Sequence, residues 1–216
     1  MRAFPCAALI VLAVAACPPQ AGLAVAPTPA VMPAPGQWTI DTRFTHPQQI
    51  ILRTGADNKP KRFWYSLITL TNKTGRKVDF YPKCELKTDT FQIMPAGRNV
   101  APDVFESVRN RHQAAYSFLE SLATTDNKIL AGEDNTKDIA VIWPDFDEKA
   151  KEIKIYITGL SNETAFVSHP VAKDKDGNPL MVFLRKTLEL TYKLEGDPAQ
   201  RSDANLIYES KRWVMR

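Results

Sequence analysis

From position 60 onward, apolar residues recur on alternate positions far more often than at helical spacing. Ile153, Ile155 and Ile157 are separated by Lys154 and Tyr156 and preceded by Glu152. Leu188, Leu190, Tyr192 and Leu194 alternate with Glu189, Thr191 and Lys193. Such period-two runs predict strands with one buried and one wet face. Residues 63–71 read Phe-Trp-Tyr-Ser-Leu-Ile-Thr-Leu-Thr, aromatic and β-branched and largely apolar on both faces, as a central strand requires. Residues 139–143 form another apolar run, 81–87 have strand composition around Cys84, and 206–214 close the chain with a last strand. Turn compositions fall between them, at Asp57-Asn58, Asn72-Lys73-Thr74-Gly75, Asp176-Gly177-Asn178 and Gly196-Asp197-Pro198. Strand after strand without long helical patterns predicts a mainly β fold, an antiparallel sandwich.

One segment breaks the alternation. Residues 102–122 carry Val104, Val108, Ala115, Leu119 and Leu122 along one side, with Glu106, Arg109, Arg111, Gln113 and Glu120 elsewhere. That spacing predicts one inserted α-helix, with Pro102 suited to its first position and Asp103 and Glu106 to its positive end. Arg109, Arg111 and His112 crowd one side of it. A solvated face is the ordinary reading of such charges. The sharper reading is an interaction surface for an acidic partner or an anionic envelope polymer. Lys211, Arg212 and Arg216 make the C-terminus basic, and Tyr208 and Trp213 are candidate exposed aromatics there, with core packing the other reading of Trp213.

The N-terminus has a different character. Arg2 is followed by an apolar run from Ala7 to Ala16, the length of a signal h-region and too short to span a hydrocarbon core of ~30 Å as a helix. Val14-Ala15-Ala16-Cys17 at its end resembles the bacterial lipobox, in which small residues precede a cysteine that is acylated and becomes the first mature residue. The resemblance implies a signal peptide over 1–16, lipid attachment at Cys17 and a protein held at a membrane; two or more acyl chains anchor stably where one does so only marginally. The rival is an ordinary signal-peptidase site at Ala13-Val14-Ala15 or at Ala24-Val25-Ala26, the second of which would leave Pro27 directly after the cut. Residues 17–37 contain no charge and carry Pro18, Pro19, Pro27, Pro29, Pro33 and Pro35, a composition that favours extended polyproline geometry and a tether. The folded domain is then expected over 38–216.

Trp64-Tyr65-Ser66-Leu67-Ile68-Thr69-Leu70-Thr71-Asn72-Lys73-Thr74-Gly75 is similar to the aromatic strand ending in T-N-x-T-G of exported bacterial lipoproteins with an immunoglobulin-like β-sandwich domain of unknown function. Leu130-Ala131-Gly132-Glu133, the strand at 139–143 with Pro144-Asp145-Phe146-Asp147 after it, and the run from Ile153 to Gly159-Leu160-Ser161 resemble the second half of such domains. The likeness covers strand and turn chemistry over part of the domain. It implies an immunoglobulin-like sandwich and carries over no catalytic or binding residue.

Composition narrows the chemistry. The chain has 216 residues and a net charge of +4, well short of the concentrated basic face that nucleic-acid binding needs. With Cys6 in the signal and Cys17 at its end, only Cys84 remains in the domain; the fold must then hold without an internal disulfide, and Cys84 reads as a small core residue. His46, His112 and His169 lie far apart, which argues against zinc. In Asp174-Lys175-Asp176-Gly177-Asn178 the glycine is fourth and the twelfth position is Arg185, so the segment reads as a hairpin turn and not as a calcium loop. Asp145-Phe146-Asp147-Glu148 reads as an acidic turn between strands more simply than as a cation site. No nucleophile elbow, zinc-protease or phosphate-loop motif occurs. The expectation is therefore a lipid-anchored extracytoplasmic protein with a binding or structural role in the envelope, without catalysis or cofactor. The alternatives are a periplasmic enzyme gathering His112 or His169 with carboxylates, and a metal-handling protein.

Overall fold

Strand β3 (Pro60–Asn72) is buried over most of its length, and its two faces serve two different cores. Trp64, Ile68 and Leu70 point into the larger cluster, whereas Phe63, Tyr65 and Leu67 point into a smaller one on the opposite side. Its neighbour β9 (Gly132–Pro144) divides in the same way: Ile139, Val141 and Trp143 face the larger cluster, Ala140 and Ile142 the smaller. The two strands pair antiparallel with Trp64 opposite Trp143. This is the period-two geometry of a strand buried on both sides. The computed structural model describes residues 27–30, 34–55, 58–197, 200 and 203–216. The expected signal segment, Cys17, the first part of the tether, Asp57 and Pro198 lie outside the described residues.

The fold is mainly β, with 54% of the described residues in strands and 7% helical. On the free edge of β3 lie β1 (Asp41–Phe44) and β2 (Gln48–Arg53), which follow one another along it. Between them Pro47 cannot donate to the ladder, and Thr45 keeps contact instead: its amide donates to the Leu67 carbonyl at 2.9 Å and its carbonyl accepts from Ser66 Oγ at 2.6 Å. The second sheet contains β5 (Lys83–Thr88), β6 (Ile93–Pro95), β10 (Glu152–Thr158), β11 (Thr164–Lys173), β12 (Pro179–Glu195) and β13 (Asn205–Met215). A two-stranded piece joins β4 (Val78–Asp79) to β8 (Lys128–Ile129). Cys84 and Leu86 of β5, the three alternating isoleucines of β10, and Leu188, Leu190 and Tyr192 of β12 complete the larger cluster. The two sheets thus share one core, as the alternation predicts, in an arrangement consistent with a sandwich. Cys84 is a free, buried thiol, and burial pushes its pKa up, so it stays protonated.

Two links between strands show why their composition matters. Asn72, fully buried at the end of β3, donates through Nδ2 to the carbonyls of Arg76 and Ile129 and accepts through Oδ1 from the Thr74 amide and hydroxyl. One side chain thereby closes the Asn72–Gly75 turn and pins it to β8. In the acidic link after β9, Asp145 accepts from the buried Trp64 indole at 2.8 Å and from Arg62 at 3.2 Å, so its charge is used inside the fold.

The helix differs from its expected length. Helix α1 runs over Pro102–His112, starting at proline as anticipated and burying Val104 and Val108. The chain then turns, and β7 (Glu120–Ser121) adds to β9 in a parallel pair amid otherwise antiparallel ladders. The reason lies in Leu119 and Leu122. Leu119 enters the smaller cluster and Leu122 packs against the larger, on opposite faces of the first sheet. A helix lying on one face cannot serve both.

Gly159 supplies a test of this packing. It has φ of +88°, and a Cβ there would lie 2.3 Å from the Tyr81 carbonyl oxygen; Gly177, with φ of +85°, has open space around it. Gly177→Ala should cost roughly 1–2 kcal/mol of backbone strain. Thermal denaturation should show Gly159→Ala destabilised well beyond that, and equal losses would contradict the close approach of β10 to the Tyr81 segment.

Candidate functional site

Helix α1 covers the outer face of the first sheet through an apolar stripe, so its polar residues are arranged around the rim of the contact. Its last turn carries Arg109, Arg111 and His112, cations that complement the partial negative charge of a helix C-terminus. The three do not act together. Arg109 turns away, pairing with Glu106 one turn earlier and lying 5.9 Å from the Phe105 ring. Arg111 and His112 converge on Tyr65, a fully buried residue of β3. His112 Nε2 lies 2.9 Å from the phenol oxygen, Arg111 Nη1 donates to it at 3.3 Å, and the phenol donates to Gln48 Oε1 at 3.0 Å. With its single hydrogen given to Gln48, the phenol accepts from Arg111 and from a His112 tautomer protonated on Nε2. Arg111 also donates to the Gln49 carbonyl at 3.2 Å. Burial first, and the Arg111 charge second, hold the His112 pKa below its ordinary value.

This polar knot stands among three open clefts. One, of about 1020 Å³, lies beside Arg109, Arg111, Tyr116, Phe118 and Glu120. A second, of about 460 Å³, runs under the helix start between Phe105 and Ile142 and is mostly apolar. A third, of about 510 Å³, is bounded by Arg43, Phe44, Tyr116 and Asp138. Phe118 at the mouth of the first is 89% exposed.

The other histidines sit elsewhere. His46 contacts the Tyr192 hydroxyl at 3.3 Å and packs with Phe44 and Tyr208 into an aromatic cluster bridging the two sheets. His169 accepts the Val171 and Ala172 amides on Nδ1, at 3.2 and 2.8 Å, and so holds the irregular stretch of β11. The Asp174 segment is the hairpin turn that its composition predicts, with Asp174 Oδ1 accepting the Asp176 and Asn178 amides. Among the described residues no three of His, Cys, Asp and Glu gather where they could hold a metal ion, and no helix is long and apolar enough to cross a membrane. Trp213 is partly buried against the larger core, and the Lys186 ammonium lies over its ring at 5.4 Å, whereas Tyr208 is 40% exposed.

A second exposed feature is an arm. Beyond Arg185, where β13 ends in paired backbone bonds between Arg185 and Arg216, β12 continues alone with β11 as a hairpin. Phe166 and Phe183 face each other across its outer side at 5.2 Å, edge to face. The arm's base holds a buried ion pair, Lys186 to Glu163 at 2.8 Å. Burial would raise the Glu163 pKa, but the Lys186 hydrogen bond, the Ala30 amide and the Lys186 charge outweigh it and hold the carboxyl below its ordinary range.

The sequence pointed to the helix cations but not to Tyr65, Gln48 or the arm. A tyrosine at the centre of an apolar strand was a legible signal, since a buried phenol needs a partner. Comparison of this chain with family models, curated proteins and solved structures finds no match.

Two measurements test the knot. Tyr65→Phe leaves Arg111, His112 and Gln48 short of a partner and should cost about 1–3 kcal/mol in urea denaturation; a neutral change would show that the contacts contribute nothing. His112 is held below 6.5 in the folded protein, so the unfolded chain binds the proton more readily and stability rises with pH through that window. Stability should therefore fall as the pH drops below 6.5, and His112→Gln should flatten that part of the stability–pH curve; an identical slope in both proteins would exclude His112 as its source.

Proposed function

We propose that the chain is a lipid-anchored, extracytoplasmic protein with an immunoglobulin-like β-sandwich domain that binds another component of the envelope or supports its structure, without catalysis of its own. The observation that carries this reading is where the bulky apolar side chains sit. Phe91, Phe118, Phe166 and Val171 are all more than half exposed, on loops and on the arm, with Phe118 beside the Arg109 and Arg111 cations. Exposed apolar groups rimmed by charge favour association with a partner. Ionisable groups that could have served chemistry are instead held in structural pairs: His112 with Tyr65, His169 with backbone amides, Asp145 with the Trp64 indole and Glu163 with Lys186. An acidic protein surface or anionic polymer at the Arg109–Phe118 cleft fits the cationic helix end.

The lipobox likeness supplies the location. Mass spectrometry of the mature protein should find an acylated Cys17 as its first residue, and Cys17→Ser should move most of the protein from the membrane fraction to the soluble one. A mature N-terminus beyond Cys17, without lipid, would overturn the anchor.

A further inference from the structure

We infer that the β11–β12 arm makes a second, reversible contact with the lipid bilayer, through Phe166, Met181 and Phe183. The inference rests on the anchored reading of Cys17 given above, and it takes a lipid surface as the arm's occupant because of where Ala30 lies in the fold.

The arm is built to present apolar groups. Thr164 pairs with Arg185 at its base and Lys173 with Pro179 near its tip, so the ten residues of β11 carry it outward by about 30 Å at ~3.3 Å per residue. Phe166, Met181 and Phe183 lie on one face and are all exposed, and Leu180 and the 81%-exposed Val171 add apolar area toward the tip. The Arg185 guanidinium sits 5.3 Å from the Phe183 ring, Lys173 flanks the turn, and Lys175 lies within it between Asp174 and Asp176. Long cationic side chains around apolar ones suit a lipid interface, where the heads reach the phosphates while the rings enter the acyl boundary.

The chain path decides the occupant. Ile40 donates to the Leu160 carbonyl, the Trp38 amide to Asn162, and the Ala30 amide to Glu163 Oε1 at 2.7 Å, while Lys186 Nζ donates to the Ala30 carbonyl at 3.4 Å. Going toward the N-terminus, the partners climb from 160 to 163, toward the arm. Ala30 therefore lies at the arm's base. Ten chain steps separate Pro27 from Cys17, a reach of at most about 36 Å even fully extended. An acylated Cys17 thus holds the bilayer at a distance comparable to the arm's own length. The outer edges of β11 and of β12 beyond Arg185 pair with no other strand among the described residues. Unpaired backbone groups are costly in hydrocarbon, so the contact is interfacial, with side chains entering and the ladder staying in the head-group layer.

The test uses the exported protein in two forms. In membranes bearing the anchored full chain, a phospholipid carrying a photoreactive diazirine in its acyl chain should label peptides spanning 164–185. Labelling elsewhere only, or capture of the arm by a protein-reactive cross-linker in place of lipid, would overturn the inference. The Cys17→Ser protein, purified after export, should float weakly with phosphatidylcholine–phosphatidylglycerol vesicles and keep doing so in high salt. Phe166→Ser combined with Phe183→Ser should lower that binding at least tenfold with an unchanged melting temperature, which is expected because both rings are exposed. Flotation that is absent, or equal in the two proteins, would overturn it. The mass of the mature N-terminus reports the anchor separately, so loss of the anchor and loss of the arm contact are told apart.

Discussion

The structure depends on two neighbouring strands being buried on both faces. Because β3 and β9 turn alternate side chains toward two cores, each face needs its own cover. The second sheet covers one, and helix α1 with Leu119 covers the other. Three layers result from one constraint, that apolar area on both sides of a ladder must leave water. The domain does this with its only described cysteine reduced, so the core takes the role that a bridge plays in many small exported domains. The helix is placed by that demand, and its C-terminal cations reach Tyr65 because the tyrosine sits on the face the helix covers.

Buried polar groups locate the joints. Asn72 ties a turn to β8, Asp145 ties the link after β9 to Trp64, and Glu163 with Lys186 ties the base of the arm to the incoming chain at Ala30. On the outer face of the second sheet Glu189 is nearly buried beside Arg212 at 2.6 Å and Tyr156. Burial, followed by the Glu189 contact, pushes the Tyr156 pKa up to about 12, although Arg216 stands over its ring at 4.1 Å. Each of these groups would be costly to bury alone and is tolerable because its partner is in place. Their pairing keeps these particular ionisable groups engaged inside the fold.

Ala30 and the base of the arm belong to one region. The pair at Glu163 and Lys186 is touched from one side by Ala30 and leads on the other into β11 and β12. The helix cleft and the arm are two distinct exposed surfaces of the fold.

The strands at 63–71, 139–143, 153–157, 188–194 and 206–214 were legible because alternation is a local property, and each lies within an observed strand. The buried thiol, the Asp174 hairpin and the start of the helix at Pro102 were legible for the same reason: each follows from chemistry a few residues wide. The helix end was not, since Leu119 and Leu122 fit a helical stripe in one dimension and separate onto opposite faces only when β9 offers an edge between them. Nor was the division of Arg109 from Arg111 and His112, because it depends on Tyr65, distant in sequence and brought close by the ladder. The extension of β12 into an arm was hidden too, as its residues 179–185 have neighbours on one side only and show little contrast between faces. Sequence by itself determined which residues prefer strands, turns and burial; the tertiary structure alone decided which of them meet, because the free energy of a long-range contact depends on partners that no local pattern names.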